Sequence, residues 1–323
     1  MRRYTIPRTD LQVSRIGYGC MRLGGVWDES PPDGRVRERA RRAVAAALDA
    51  GINLFDHADI YARGKSESVF GEILRDSPSL RRESVLLSKC GIRFSNEPRE
   101  GAPERYDFSH DHILRSVEGS LRRLQTDALD ILLLHRPDPL VEPEEVARAF
   151  DALHASGKVR YFGVSNHTVP QVELLRRHLR QPLVIQQLEL SLTRLGLIDE
   201  GVRAAPGDGI TAASGSLDSC RAEGLLLQAW APVGRGAAFG AERAALPQNA
   251  PLAALLTRIA GARQSSPEAV ALAWLLRHPA GIQPLIGTTR PERIRACCEA
   301  DALTLSREEW YELFIAARGQ PLP

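Results

Sequence analysis

Leu129-Asp130-Ile131-Leu132-Leu133-Leu134-His135 is the stretch on which the fold turns. A strand with one face in water alternates apolar and polar residues. Ile131 to Leu134 are apolar without interruption, as expected of a parallel strand covered by helices on one side and by barrel core on the other. Helical-period segments flank it, Ser109 to Leu124 before and Glu142 to Ser156 after. Outward from there, eight short β-rich runs alternate with longer helical segments: Ile16 to Gly19, Asn53 to Phe55, Ser84 to Ser88, Leu129 to Leu134, Tyr161 to Val164, Leu183 to Gln187, Leu225 to Trp230 and Ile282 to Ile286. Val36 to Ala50 and Pro291 to Ala300 are further helix candidates. Eight βα units in about 300 residues predict an α/β protein built as a closed (β/α)8 TIM barrel. An open doubly wound sheet would carry fewer strands and a glycine fingerprint, and no GxGxxG follows an early strand.

Residues 1–323 read as a single barrel domain. Arg3 to Ile6 and Leu11 to Val13 flank Pro7-Arg8-Thr9-Asp10 and predict an N-terminal β-hairpin that closes the bottom of the barrel. The stretch 193–218 is rich in Gly, Ala and Ser with weak periodicity, and is expected to be a long loop inserted after the sixth strand.

Composition excludes several classes of function. A chain of 323 residues with 43 % hydrophobic and 25 % charged residues has enough core to fold as one large domain, and a formal charge of +2 gives no pull toward nucleic acid or anionic membranes. The N-terminus MRRYTIPRTD lacks an apolar run, and no segment approaches 18 apolar residues, so a soluble cytoplasmic protein is expected. Five cysteines (Cys20, Cys90, Cys220, Cys297, Cys298) without a CxxC suggest neither a disulfide framework nor a zinc site. Lysine is scarce: only Lys65, Lys89 and Lys158 occur, so each invites a question about its use.

In a (β/α)8 barrel, polar residues at the C-terminal ends of strands converge on one mouth. Asp56 ends the second run, Tyr61 lies five residues on, Lys89 ends the third and His135 ends the fourth. This group suits proton donation to a carbonyl oxygen as it gains negative charge. A phenol is a weak acid near pH 10; an ammonium beside it favours the phenolate, and a carboxylate keeps that ammonium charged and oriented. His135 has two readings, orienting the carbonyl or relaying the proton. Singly each residue has a bland reading: a loop aromatic, a surface charge, a core histidine. Jointly, four titratable groups at strand ends favour function.

Asn53-Leu54-Phe55-Asp56-His57-Ala58-Asp59-Ile60-Tyr61, followed by Gly64 and Ser66-Glu67, resembles the N-x-F-D-x-A-x-x-Y-x-x-G-x-S-E signature of the aldo-keto reductases. Ser88-Lys89, the strand ending in His135, Gly163-Val164-Ser165-Asn166, Gln187, Ala231-Pro232 and Ile286-Gly287 follow in the family's order. The resemblance runs from Ile16 to about Ala300 and leans toward a bacterial oxidoreductase branch. It implies NADPH-dependent, reversible reduction of an aldehyde or ketone, with Asp56, Tyr61, Lys89 and His135 as the catalytic tetrad, Tyr61 the acid and nicotinamide the hydride donor. Ser165, Asn166 and Gln187 match the carboxamide contacts, while Asp56, Cys20 and Met21 match positions near the nicotinamide and its ribose. Trp230 matches the stacking aromatic. Ala231, Pro232, Val233, Gly234, Arg235 and Gly236 match the loop over the pyrophosphate. Gly287, Thr288, Thr289 and Arg293 match the 2′-phosphate site of NADPH, with Arg290 as a rival to Arg293. Ala296 and Cys297 replace a Glu-Asn pair that contacts adenine in relatives, so NADH stays open as the weaker alternative.

Trp27, in the loop after the first strand, is expected to wall the substrate pocket with His135. His57, where relatives carry a small residue, either contacts substrate or packs. A second reading of the whole is an NADPH-binding sensor or regulatory subunit with little turnover; an intact tetrad, which such a protein need not keep, favours the enzyme. A metal-dependent hydrolase would need clustered ligands, and only Asp56, His57 and His135 are candidates, beside a lysine. No metal is expected, and the partner is a small carbonyl compound; the loops that choose it vary freely within the fold.

Overall fold

The computed structural model describes residues 1–202, 215–236 and 249–323. Its strands are β1 (Arg3–Thr5), β2 (Gln12–Ser14), β3 (Gly17–Gly19), β4 (Leu54–Asp56), β5 (Val85–Cys90), β6 (Ile92–Arg93), β7 (Arg105–Tyr106), β8 (Leu129–Leu134), β9 (Val159–Ser165), β10 (Leu183–Glu189), β11 (Leu226–Trp230) and β12 (Gln283–Ile286). Eight of them close a parallel barrel in the order β3-β4-β5-β8-β9-β10-β11-β12, with β12 pairing back to β3. The stretch that decided the fold is β8, buried at every position between β5 and β9. Each expected run lies within a residue or two of a barrel strand. Gly17 shows how tightly the barrel closes: a Cβ there would sit 2.6 Å from Leu285 Cδ2, on the neighbouring strand.

Two apolar layers hold the barrel. Inside, Leu54, Val85, Leu87, Ile131, Leu133, Val184, Ile185, Leu226 and Leu285 pack with Ile6, Leu11 and Val13 of the hairpin. The antiparallel hairpin β1–β2 therefore plugs the interior at the strands' N-terminal ends, as expected. Outside, Phe55, Leu86, Leu132, Leu134, Phe162 and Leu227 alternate with these along the same strands and meet helices such as Gly34–Asp49, Lys65–Asp76 and Pro267–Leu276. Asp33 caps the first of those helices, its carboxylate accepting from Val36 N at 2.8 Å.

The stretch 193–218 is less irregular than expected. Gly196–Asp199 forms one helical turn, and a helix, Ser216–Glu223, begins inside its far end. Asp199 is tied to Arg318 at 2.6 Å. A four-residue turn is too short to show a 3.6-residue period, so tertiary pairing makes it visible where the sequence pattern does not. Residues 203–214 lie outside the described part. Among the described residues, no helix is long and apolar enough to cross a membrane.

Candidate active site

Side chains from three consecutive barrel strands, with Tyr61 from the loop after the first of them, meet at the barrel mouth. Lys89, on β5, is 1 % exposed, and its Nζ donates to Asp56 Oδ2 at 2.8 Å, to the His57 carbonyl at 2.8 Å and to Tyr61 Oη at 3.0 Å. An ammonium has three hydrogens, and all three are engaged. Burial alone would lower the Lys89 pKa, but attraction to Asp56 and Tyr61 and the bonds to both raise it, so the group stays charged. Tyr61 Oη accepts from Lys89, which leaves the phenol hydrogen to point elsewhere.

The Tyr61 pKa departs from the simple expectation. Burial raises it, the Lys89 charge pulls it down, Asp56 pushes it up again, and the net direction is upward. Desolvation outweighs the nearby ammonium. Tyr61 is thus a phenol, not a phenolate, at neutral pH. His135 lies with its ring centroid 5.8 Å from that of Tyr61, in an edge arrangement. Burial first, then Lys89 and Arg136, hold the His135 pKa well below the usual range, so the ring is neutral, and its Nδ1 is buried with no partner among the described residues.

Backbone geometry marks the same place. Among the described residues eight non-glycines have positive φ, and four of them border the mouth: Ala62 and Arg63 just after Tyr61, Asn166 after β9, and Ala231 after β11. Each costs about 1–2 kcal/mol for an L-residue, and such outliers gather where a site over-determines the chain. Gly64 completes the left-handed run at φ 82°, and a Cβ there would strike Arg123 Cδ at 2.8 Å.

Trp27 stands where the pocket wall was expected, 47 % exposed and edge-on to Tyr61 at 6.5 Å between centroids. Its loop is fastened by contacts that the sequence does not predict: Lys65 Nζ donates to Asp28 Oδ1 at 2.8 Å and Ser30 O at 2.9 Å, and Arg63 pairs with Glu29 at 2.6 Å. Lys65, one of the three lysines, thereby has a use. The spacing between 28 and 65 carries no signal that could have shown it.

His57 resolves the other way. Its ring is fully buried, edge-on to Phe70 at 4.7 Å, in the layer between strands and helices, and neither ring nitrogen has a partner among the described residues. Only its carbonyl reaches the mouth, through Lys89. Burial, with Lys89, pushes its pKa down to about 3. The folded value is depressed below 6.5, so the unfolded chain takes up the proton first and the ring costs stability as pH falls from 6.5 toward 3. His57→Leu is therefore expected to melt increasingly above the parent as pH drops from 7.5 to 5, with KM for any carbonyl substrate within about threefold. A tenfold rise in KM would return the ring to the pocket.

The remaining expected contacts fall into place unevenly. Asn166 joins three strand ends: Nδ2 donates to His135 O at 3.1 Å and Ser165 Oγ at 2.7 Å, and Oδ1 accepts from Trp230 Nε1 at 3.0 Å. Gln187 Nε2 donates to Asp56 Oδ1 at 2.9 Å. The Arg136 guanidinium lies 5.7 Å from the Trp230 ring centroid. Cys20 is fully buried with its thiol pKa pushed well up by burial, whereas Met21 is 41 % exposed. Gly234–Gly236 form a single 3-10 turn after Ala231, Pro232 and Val233, with Gly234 and Gly236 at φ 57° and 80°. The Arg235 side chain lies outside the described part. Beyond β12, Gly287 is followed by Thr288, whose carbonyl accepts from Tyr18 Oη at 2.9 Å, and by Thr289.

Arg293, the arginine matched to the phosphate site, donates from Nη2 to Glu268 at 3.0 Å, across to the helix Pro267–Leu276. At the start of Pro291–Cys298, Thr289, Arg290, Arg35, Arg39 and Arg42, with Glu38 and Glu292 among them, line a groove of about 640 Å³. Cys297 faces the core at 4 % exposure and cannot offer its thiol to a ligand.

The model of the aldo/keto reductase family matches residues 15–316. The chain belongs to the aldo/keto reductase family. This aldo/keto reductase is 38 % identical over 326 residues to the oxidoreductase YdhF of Escherichia coli, covering 100 % of both chains. It is 38 % identical over 312 residues to a 6-dehydroglucose reductase of Agrobacterium fabrum, covering 96 % of each. A solved aldo/keto reductase from Klebsiella pneumoniae, in complex with NADP and acetate, superposes with a TM-score of 0.73 at 26 % identity over 97 % of this chain and 93 % of that one. Membership makes an oxidoreductase acting on carbonyl groups the general reading of this aldo/keto reductase.

Proposed function

We propose that the protein is an NADPH-dependent carbonyl reductase in which Tyr61 is the general acid. The observation that carries this is the spent donor set of Lys89: its three hydrogens go to Asp56, His57 O and Tyr61 Oη, so the Tyr61 proton is the one left to give. A substrate carbonyl oxygen beside Tyr61 accepts that proton as negative charge develops on it. Lys89 then faces the nascent phenolate at 3.0 Å and stabilises it, while Asp56 keeps Lys89 charged and in place. Neutral His135 offers a ring N–H without competing as a base. Trp27 covers Tyr61 on the loop side and limits water.

Nicotinamide, when bound, supplies the hydride. The residues present fit such a group. Gln187 puts an amide beside Asp56, and Ser165 and Asn166 add a hydroxyl and a second amide at the end of β9, next to β10. The Trp230 indole stands at the end of the neighbouring strand, and Gly234 and Gly236 hold a turn that side chains would strain. Thr288, Thr289, Arg290 and the arginines of the adjoining groove would receive phosphate, with Arg293 available once released from Glu268. That basic surface favours NADPH over NADH. The Agrobacterium relative named for reducing 6-dehydroglucose supports a small aldehyde as substrate, and a sugar aldehyde belongs in the first panel.

Tryptophan fluorescence titrated separately with NADPH and NADH tests the cofactor, and NADPH oxidation by aromatic and sugar aldehydes tests the reaction. Quenching by NADPH at concentrations well below those for NADH, with turnover, is the expected result. Quenching by neither overturns the cofactor site, and quenching without turnover across the panel leaves a binding protein.

A further inference from the structure

Three buried glutamines stand side by side on adjacent strands. Gln187 of β10 is in register with Gln228 of β11, and Gln228 with Gln283 of β12; they are 2 %, 0 % and 0 % exposed. Gln187 Nε2 donates to Gln228 Oε1 at 2.9 Å, Gln228 Nε2 to Gln283 Oε1 at 2.8 Å, and Gln283 Nε2 to the Ser14 carbonyl at 2.7 Å. At its other end the same Gln187 Nε2 donates to Asp56 Oδ1. A glutamine on a barrel strand is satisfied by any nearby donor and acceptor, so one such residue would carry no message. Three in a row, with an acceptor at each end, do.

An amide can turn over and exchange its N and O, but neither end of this row permits it. The Ser14 carbonyl only accepts, so Gln283 must present its NH2 there and its oxygen to Gln228. Gln228 must then present its oxygen to Gln187, and Gln187 spends both hydrogens, one on Gln228 and one on Asp56. Ser14 is itself fixed: its N donates to Asn53 Oδ1 at 2.7 Å and its Oγ donates to Ile16 O at 2.7 Å. The orientation of the amide that holds the catalytic carboxylate is thus dictated from the hairpin side of the barrel, through two side chains that touch no reacting atom.

We infer that Gln228 and Gln283 are positioning residues for the reaction, acting through Gln187 on Asp56. The inference rests on the reductase reading above. Gln228→Met keeps the shape and removes the relay; kcat is expected to fall about tenfold, the scale of a misplaced hydrogen bond to a charged group, with KM for the carbonyl and the NADPH dissociation constant within about twofold. Gln228→Glu is the diagnostic variant. A protonated carboxyl offers one acceptor and one donor, the pattern the row needs, whereas a carboxylate only accepts and clashes with Gln283 Oε1. Burial raises the pKa of the introduced carboxyl, so the kcat of Gln228→Glu should approach the parent value at acid pH and fall as pH rises through neutrality, while the parent and Gln228→Met lack that step. Gln283→Glu, one residue farther from Asp56, should show the same step at smaller amplitude and serves if the first variant folds poorly.

Parent-level kcat in both Gln228 variants, or a Gln228→Glu profile parallel to the parent, overturns the inference alone. A parent protein that reduces no carbonyl overturns the reductase reading and this inference with it.

Discussion

Tyr61→Phe should reduce kcat by about two to four orders of magnitude, the usual worth of a positioned general acid, while NADPH binds as tightly as before. The substitution removes one oxygen, which accepts from Lys89 and carries the hydroxyl hydrogen that this contact leaves unspent. Lys89 retains Asp56 and the His57 carbonyl as acceptors, so the ammonium stays in place and little stability is lost. The pH profile should agree. Burial, against the opposing pull of Lys89, sets the Tyr61 pKa above its ordinary value, so in the parent the acid stays protonated and reduction shows no alkaline loss from this group up to about pH 9. Steady-state NADPH oxidation from pH 6 to 9, with cofactor affinity from fluorescence, checks both statements. Turnover of Tyr61→Phe equal to the parent would remove the residue from the chemistry.

Lys89→Met should damage both stability and rate. Asp56 is 3 % exposed and would keep, among the described residues, only the Gln187 amide as a side-chain donor, and stripping the partner from a buried charge typically costs about 3–5 kcal/mol. A melting point lower by roughly 5–10 °C is expected for a domain of this size. Turnover should fall about a hundredfold or more, because the phenolate formed by proton donation then has no cation beside it. Pairing the change with Asp56→Asn removes the orphaned charge, so the double variant should regain much of the melting point and none of the turnover. Recovery of turnover along with stability would reduce the Lys89–Asp56 pair to a structural brace.

Much of this was legible in the chain. The unbroken apolar run of β8 and the eightfold alternation around it specify a covered parallel barrel, because strands buried on both faces cannot afford polar alternation. The hairpin could be read from its turn residues, and Asp56, Tyr61, Lys89 and His135 from their places at strand ends. Trp27 was legible only as a loop aromatic; its position over Tyr61 depends on Lys65 and Arg63 gripping Asp28 and Glu29, pairs too far apart in sequence to carry a pattern.

By itself, then, the sequence determined the fold and the family and pointed to the four side chains now found at the mouth, because periodicity and short motifs are local and survive without knowledge of contacts. The tertiary structure decided which way each side chain faces. Asp56 and Asp59 are the same residue type three positions apart, yet one meets Lys89 while the other is half-buried, and desolvation together with nearby Glu67 pushes its carboxyl up to about 8. His57 went into the layer behind the strands, Arg293 to Glu268, and three glutamines from separate βα units into one oriented row. Those outcomes depend on which neighbours a closed barrel brings within hydrogen-bonding distance and how far it excludes water, and neither is encoded at any single spacing along the chain.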